Sequence, residues 1–380
     1  MRELLALLLL ACGCIVEVPE PSERGEGGSA GSDAGLGAPE LMCDQQQGVN
    51  DMLLADSFLY FGSATGLQRI PVDQVFPPSG CMPETVSISN SVPGWGLANA
   101  EKRIFVSSVG GGIHCIDTDA FAGSTSEVVP ASPNAEQPRG LLVDSDRLYW
   151  TNYDALYQPG LYSVSLGGAS SCPQAPLTDI HEHILFPTSE WKLLRMHKHS
   201  DGFLYVALGF GTVDEPPPAS VLRIDPAPAL TCDCTVMPCE CAEFLLLDEG
   251  GALNLLPRPD GALLVATQQE PQQDVVLRVF DLADASAPHL VSDQTTAELR
   301  HSAVDERGLF IAAAPYMLAE PQYGSLYFYP DPAASNALLR ELPLFEFTST
   351  PYDIALTPEF VYLSMASADN GGGILRIPRL

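Results

Sequence analysis

The chain has 380 residues and a formal net charge of −30, with 48 acidic residues against 18 basic ones. Nucleic acid and anionic lipid surfaces would both be repelled, so neither is expected as a partner. The acidic excess itself reads as a solubilising shell.

The first 11 residues, Met1-Arg-Glu-Leu-Leu-Ala-Leu-Leu-Leu-Leu-Ala11, join a charged start to a leucine run too short for a mature membrane helix. They form a targeting segment. Leu9-Leu10-Ala11-Cys12 resembles the lipobox of bacterial lipoproteins, which implies cleavage before Cys12, lipidation of that cysteine and anchoring in the cell envelope. Gly13, in place of an aspartate, resembles the sorting pattern for the outer membrane. Ordinary secretory cleavage is the other reading, and the small-residue pattern for it is poor. Residues 12–40 then carry Gly, Ser, Pro, Ala and Glu with few large apolar groups, a composition that gives a flexible tether about 30 Å long on average. Gly27-Gly-Ser-Ala-Gly31 matches a nucleophile elbow only by chance, because it lies in this tether with no strand before it.

From residue 41 to 380 one pattern recurs: strand, acidic turn, aromatic strand, variable loop, strand. Its aromatic strand runs from Phe58-Leu-Tyr-Phe61 through Arg147-Leu-Tyr-Trp150 to Phe360-Val-Tyr-Leu363, in seven copies. At about 49 residues per copy this suits four-stranded propeller blades. The expected fold is therefore all-β, a single seven-bladed β-propeller over 41–380, since a closed ring buries both faces of every sheet. The last copy stops at its third strand, Ile374-Leu-Arg-Ile377, so Leu41–Gln47 is expected to supply the fourth and latch the ring. Tyr149-Trp-Thr-Asn152 in its hairpin is similar to the YWTD and NHL classes of propeller repeat. That resemblance implies a binding scaffold in most members and a lactonase or lyase in some.

Export places the cysteines where disulfides persist. Cys43, Cys81, Cys115 and Cys172 are expected to form two bridges of unreadable connectivity, and Cys232-Asp-Cys-Thr-Val-Met-Pro-Cys-Glu-Cys241 two more, ahead of a zinc site. No phosphate-binding loop, dinucleotide fingerprint or EF-hand loop is present, so no cofactor is expected. The pairs His181/His183 and His197/His199 each share a strand face, but neither shows a third metal ligand. Asp117-Thr-Asp119 and Asp369-Asn-Gly-Gly-Gly373 are explained by turn chemistry.

One set of positions stands apart. Nine residues before the first aliphatic residue of each aromatic strand lie Asn50, Trp95, Arg139, Arg195, Asn254, Arg300 and Tyr352. One residue later lie Asp51, Gly96, Gly140, Met196, Leu255, His301 and Asp353. These start the innermost strands and are expected to ring one channel mouth, on the face that carries the long loops. The expected ligand-binding residues are Asn50, Trp95, Arg139, Arg195, Asn254, Arg300, His301, Tyr352 and Asp353. Arg139, Arg195 and Arg300 would form a positive island for an anionic ligand, with Trp95 and Tyr352 as stacking faces. The expected protein is a monomeric envelope lipoprotein that binds a partner protein, a glycan or an anionic small molecule. The alternative is a hydrolase or lyase in which His301, flanked by Arg300 and near Asp353, serves as general base.

Overall fold

The computed structural model describes residues 36–43, 49, 51–73, 81–88, 93–121, 123, 125–152, 159–186, 192–209, 219–227, 232–233, 242–247, 251–259, 261, 263–268, 275–281, 289–295, 297–315, 325–330, 340–343, 350–366 and 372–379. The leader, the Cys12 region, most of the 232–241 cysteine cluster and Asn50 lie outside these residues.

Two-residue turns build the hairpins. Asp56 and Ser57, both at positive φ (49° and 65°), close Met52–Ala55 onto Phe58–Ser63. That backbone matches the right-handed twist of the paired strands. Ser145 at φ 55° closes Pro138–Asp144 onto Arg147–Asn152 in the same way. The acidic turns of the repeat are thus the inner hairpins of the sheets.

Numbered by the chain order of their inner strands, the sheets start from Met52–Ala55, Pro93–Ala100, Pro138–Asp144, Lys192–Lys198, Gly251–Pro257, Ala297–Asp305 and Thr350–Leu356. Six are four-stranded and antiparallel. The third departs from the expected uniform blades: Cys232–Asp233 adds a fifth strand, parallel to His181–Leu185. Each inner strand meets the inner strands of its neighbours, and Met52–Ala55 meets both Pro93–Ala100 and Thr350–Leu356. The sheets therefore radiate from one axis, as in a propeller.

Period-2 alternation explains the core. Leu148 and Trp150 face the second sheet, whereas Tyr149 between them faces the fourth. Leu59 and Phe61 face the seventh sheet, and Tyr60 faces the second. The aromatic strands look continuously apolar because both of their faces are covered.

The seventh sheet is completed from the other end of the chain. Glu40–Cys43 pairs antiparallel with Gly373–Pro378, and Leu36 bridges Arg379. Cys43 is bonded to Cys81 of the first sheet, so the latch strand is tied covalently to the next sheet round the ring. Cys115 and Cys172 form the second bridge.

At the outer edge Arg69, Arg223 and Arg376, at matching positions of their strands, each lie over a phenylalanine and pair with a glutamate. Arg69 lies 4.3 Å from the Phe58 ring centre and 2.7 Å from Glu84. Arg223 lies 3.7 Å from Phe203 and 3.0 Å from Glu243. Arg376 lies 4.7 Å from Phe360 and 2.7 Å from Glu40. Glu40 belongs to the latch strand, so the latch reproduces the side-chain pattern of an ordinary fourth strand.

Candidate functional site in the central channel

The inner strands of the second to seventh sheets all carry a register irregularity near their starts. Such bulges re-aim side chains. The bulged strands of the fourth, sixth and seventh sheets bring Arg195, His301 and Asp353 together with Asp51, which stands at the start of the unbulged first sheet.

Arg195 Nη2 donates to Asp51 Oδ1 at 2.8 Å and to His301 Nε2 at 3.0 Å. Because a guanidinium can only donate, His301 Nε2 must accept, and the ring hydrogen sits on Nδ1. That nitrogen is 2.7 Å from Asp353 Oδ1. Asp353 also accepts the main-chain N–H of Met52 at 2.6 Å and of Ile354 at 2.8 Å. Asp51 Oδ2 accepts the N–H of Leu97 at 3.0 Å. Each carboxylate thus stitches its own strand to the next sheet, and Asn254 does likewise by donating Nδ2 to Ser302 O at 2.7 Å.

The electrostatics divide the two carboxyls. Burial and the neighbouring Asp353 push Asp51 up to about 7, against the opposing pull of Arg195. Burial would raise Asp353 too, but His301 and Arg195 hold it below the usual carboxylate range. Burial alone would lower Arg195, yet Asp51 and Asp353 raise it. The neighbouring charge of Asp353 adds to burial in raising Asp51. Their side chains are 2% exposed, whereas Arg195 is 29% exposed and His301 16%. Two sealed carboxyls therefore back two partly exposed side chains.

Of the residues expected at the mouth ring, Arg195, His301 and Asp353 lie together. Asn254 is buried and spends its amide on Ser302. Arg139 and Tyr352 lie half-buried on their inner strands, and the side chains of Trp95 and Arg300 lie outside the described residues. The positive island needs correction at Arg195: Asp51 neutralises it, so it is no free cation. Asp51 was not among the expected site residues, although it shares its offset with His301 and Asp353.

The remaining motifs are structural. Thr151 Oγ donates to Arg139 O at 3.0 Å, Asn152 Nδ2 donates to Pro133 O at 2.8 Å, and Trp150 Nε1 donates to Asn134 O at 2.7 Å. The Tyr-Trp-Thr-Asn stretch thereby clamps the segment leading into its own inner strand. His183 pairs with Ser163 at 2.8 Å, and burial lowers it to about 4. His199 Nε2 meets Gly261 O at 2.7 Å. Asp117 accepts the Cys172 N–H at 3.0 Å, and Asp119 pairs with Lys102 at 2.6 Å. Among the described residues no group of three or more His, Cys, Asp or Glu is placed to hold a metal.

No protein-family description and no curated protein matches the chain. Solved structures do. The propeller domain of Swd1 from Myceliophteria thermophila aligns at 13% identity with a TM-score of 0.59, covering 90% of this chain and 99% of that one. The chain is a β-propeller. A catalytically inactive virginiamycin B lyase from Staphylococcus aureus, solved with quinupristin, aligns at 12% identity and TM-score 0.58, over 90% and 99% of the two chains. The PQQ-bound aldose sugar dehydrogenase of Streptomyces coelicolor follows at 14% and 0.53, over 90% and 98%. At these identities the likeness is one of fold.

Proposed function

We propose that this chain is an envelope lipoprotein whose propeller binds a small polar ligand in its central channel, at Asp51, Arg195, His301 and Asp353. In this reading residues 1–11 are the leader, Cys12 carries the lipid, 12–40 is the tether, and 41–380 is a monomeric ring. The ring has seven blades, with Cys232–Asp233 an addition to the third. Cysteine-anchored sorting to the outer membrane follows from the lipobox and Gly13.

One observation carries the binding site: four ionisable groups from four sheets converge, and the two that could meet a ligand are the exposed ones. Ionisable groups perturbed by burial and by each other mark functional sites more often than scaffold. Stitching the sheets needs only the carboxylates and the main-chain N–H groups. Arg195 and His301 are surplus to that task. Arg139 and Tyr352, half-buried at the matching position of their inner strands, are candidate further contacts for the ligand.

A thermal-shift screen of metabolites and oligosaccharides tests the site. A ligand that stabilises the wild type should lose its effect in His301→Gln and Arg195→Lys. Equal binding by both variants would move the site elsewhere. For the anchor, Cys12→Ser should abolish labelling by fatty acid and release the protein from membranes.

The 2.7 Å contact of His301 with Asp353 favours a second reading, acid–base catalysis in the channel. Asp353 holds the ring in the tautomer whose Nε2 lone pair faces Arg195, so any ligand group that draws Arg195 away frees a base. Among structures of this fold are a lyase and a sugar dehydrogenase. Turnover of a lactone panel by wild type, lost in His301→Gln with the fold retained, would favour the enzyme.

A further inference from the structure

We propose that the channel takes up a weak acid as its anion together with one proton: the anion's carboxylate displaces Asp51 from Arg195, and Asp51 keeps the proton. The inference rests on the reading of the channel as the ligand site and adds to it the class of ligand and its control.

The geometry supplies each part. Among the described residues Arg195 pairs with one carboxylate, Asp51, and the Arg195 side chain is the more exposed of the two. Asp51 therefore sits where a ligand carboxylate would sit, on the same fork of N–H groups. Asp353 cannot be displaced in its place, because the Met52 and Ile354 N–H groups both hold it and His301 Nδ1 lies 2.7 Å away. Asp51 keeps only the Leu97 N–H once Arg195 leaves, with Asp353 in contact. An ionised Asp51 left there would be a buried charge beside a second carboxylate, which costs several kcal/mol or more. A protonated Asp51 instead donates a hydrogen bond to Asp353.

The exchange balances. Before it the cluster holds Arg195 cationic, Asp353 and Asp51 anionic and His301 neutral. Afterwards the ligand anion replaces the Asp51 charge, one proton has entered, and the net charge is unchanged. The groups facing Asp51 are Arg195 from the fourth sheet and Asp353 from the seventh. Among the described residues the second sheet meets it with the Leu97 N–H, and His301 of the sixth reaches it through Arg195 and Asp353. Because burial pushes Asp51 up to about 7, its carboxylate and the ligand anion compete for Arg195 within the physiological range. Below that point Arg195 stands open to an anion; above it Asp51 occupies the fork.

Calorimetric titration of the mature chain with acetate and with glucuronate, from pH 6 to 9, tests this. Buffers of different ionisation enthalpy count the protons. Affinity should fall about tenfold per pH unit above pH 7, with close to one proton taken up per anion bound. Asp51→Asn should bind the same acids with a flat pH profile, while the proton count in the wild type needs no variant to fold. Binding without proton uptake or pH dependence overturns this exchange but leaves the channel as a binding site. If neither acid binds at pH 6, the inference fails. A neutral sugar that still binds in a His301-dependent way would then preserve the broader reading.

Discussion

Arginine meets carboxylate at two radii of this molecule, with different consequences. At the rim the partners Glu84, Glu243 and Glu40 are 54–58% exposed, and each arginine lies flat on a phenylalanine. Water solvates the acid, so the pair is weak and nothing is strained by it. At the axis Asp51 and Asp353 are 2% exposed, no water shell replaces a lost partner, and the cheapest relief is a proton. The same chemistry is fastening at one radius and a titrating site at the other. Depth in the ring, rather than residue type, decides which.

The largest expected contrast is between Arg195→Ala and Arg223→Ala. Removing Arg195 strands buried carboxyls and should cost about 3–5 kcal/mol in urea unfolding. Arg223 loses two exposed pairs, with Glu243 and Asp201, and a ring contact, for about 1 kcal/mol. Similar costs for the two would erase the distinction between axis and rim.

The rim's strength should be covalent where the ring closes. Replacing Cys43 and Cys81 by serine frees the latch strand from the first sheet and should cost about 2–4 kcal/mol. Deleting residues 15–35, part of the proposed tether, should leave the melting temperature unchanged. A latch that survives loss of the bridge at no cost would mean that pairing with Gly373–Pro378 suffices by itself.

The fold was legible because propeller sheets repeat. Aromatic strands buried on both faces, two-residue acidic turns and a last copy lacking a strand all have period-2 or turn physics that survives in a single sequence. The latch was legible for the same reason, and Glu40 opposite Arg376 completes it. The extra Cys232–Asp233 strand was not, because its partner lies on another sheet and nothing local marks it. The site was half legible. Constant spacing located the inner-strand starts, but a bulge decides whether the ninth or the eighth position turns inward. Arg195 and Asn254 do so from the ninth, His301 and Asp353 from the eighth. Spacing also could not show that Asp51 would cross the channel to cancel Arg195, since that contact spans 144 residues.

Acidity separates axis from rim in a third way. Asp51 has its folded pKa raised to about 7, above the ordinary value of 3.8, so the folded chain binds more protons than the unfolded one between those limits. Stability from this group is therefore greatest at low pH and is lost as pH rises from about 4 to 7. The slope should be on the order of 1 kcal/mol per pH unit. Asp51→Asn removes it, so the wild type should fall progressively behind the variant in denaturation midpoint over that window. Glu84→Gln at the rim should run parallel to wild type throughout. A parallel course for Asp51→Asn would mean that Asp51 does not hold its proton in the folded state.

The smallest effect is also the sharpest test of the rim. Double-mutant cycles on Arg69/Glu84 and on Arg376/Glu40 should give equal coupling of about 0.2–1 kcal/mol, both reduced by salt. The first pair joins adjacent strands of one hairpin region. The second joins residues 336 positions apart, across the seam where the ring closes. If the latch is held as firmly as an ordinary fourth strand, that distance along the chain is irrelevant, because the pairing has already brought the glutamate opposite its arginine. A weaker Arg376/Glu40 term would show a latch that frays in solution, and with it a seam through which the ring could open. A term of several kcal/mol would show instead that the rim at the seam is as dry as the axis, and the contrast between the two radii would fail there.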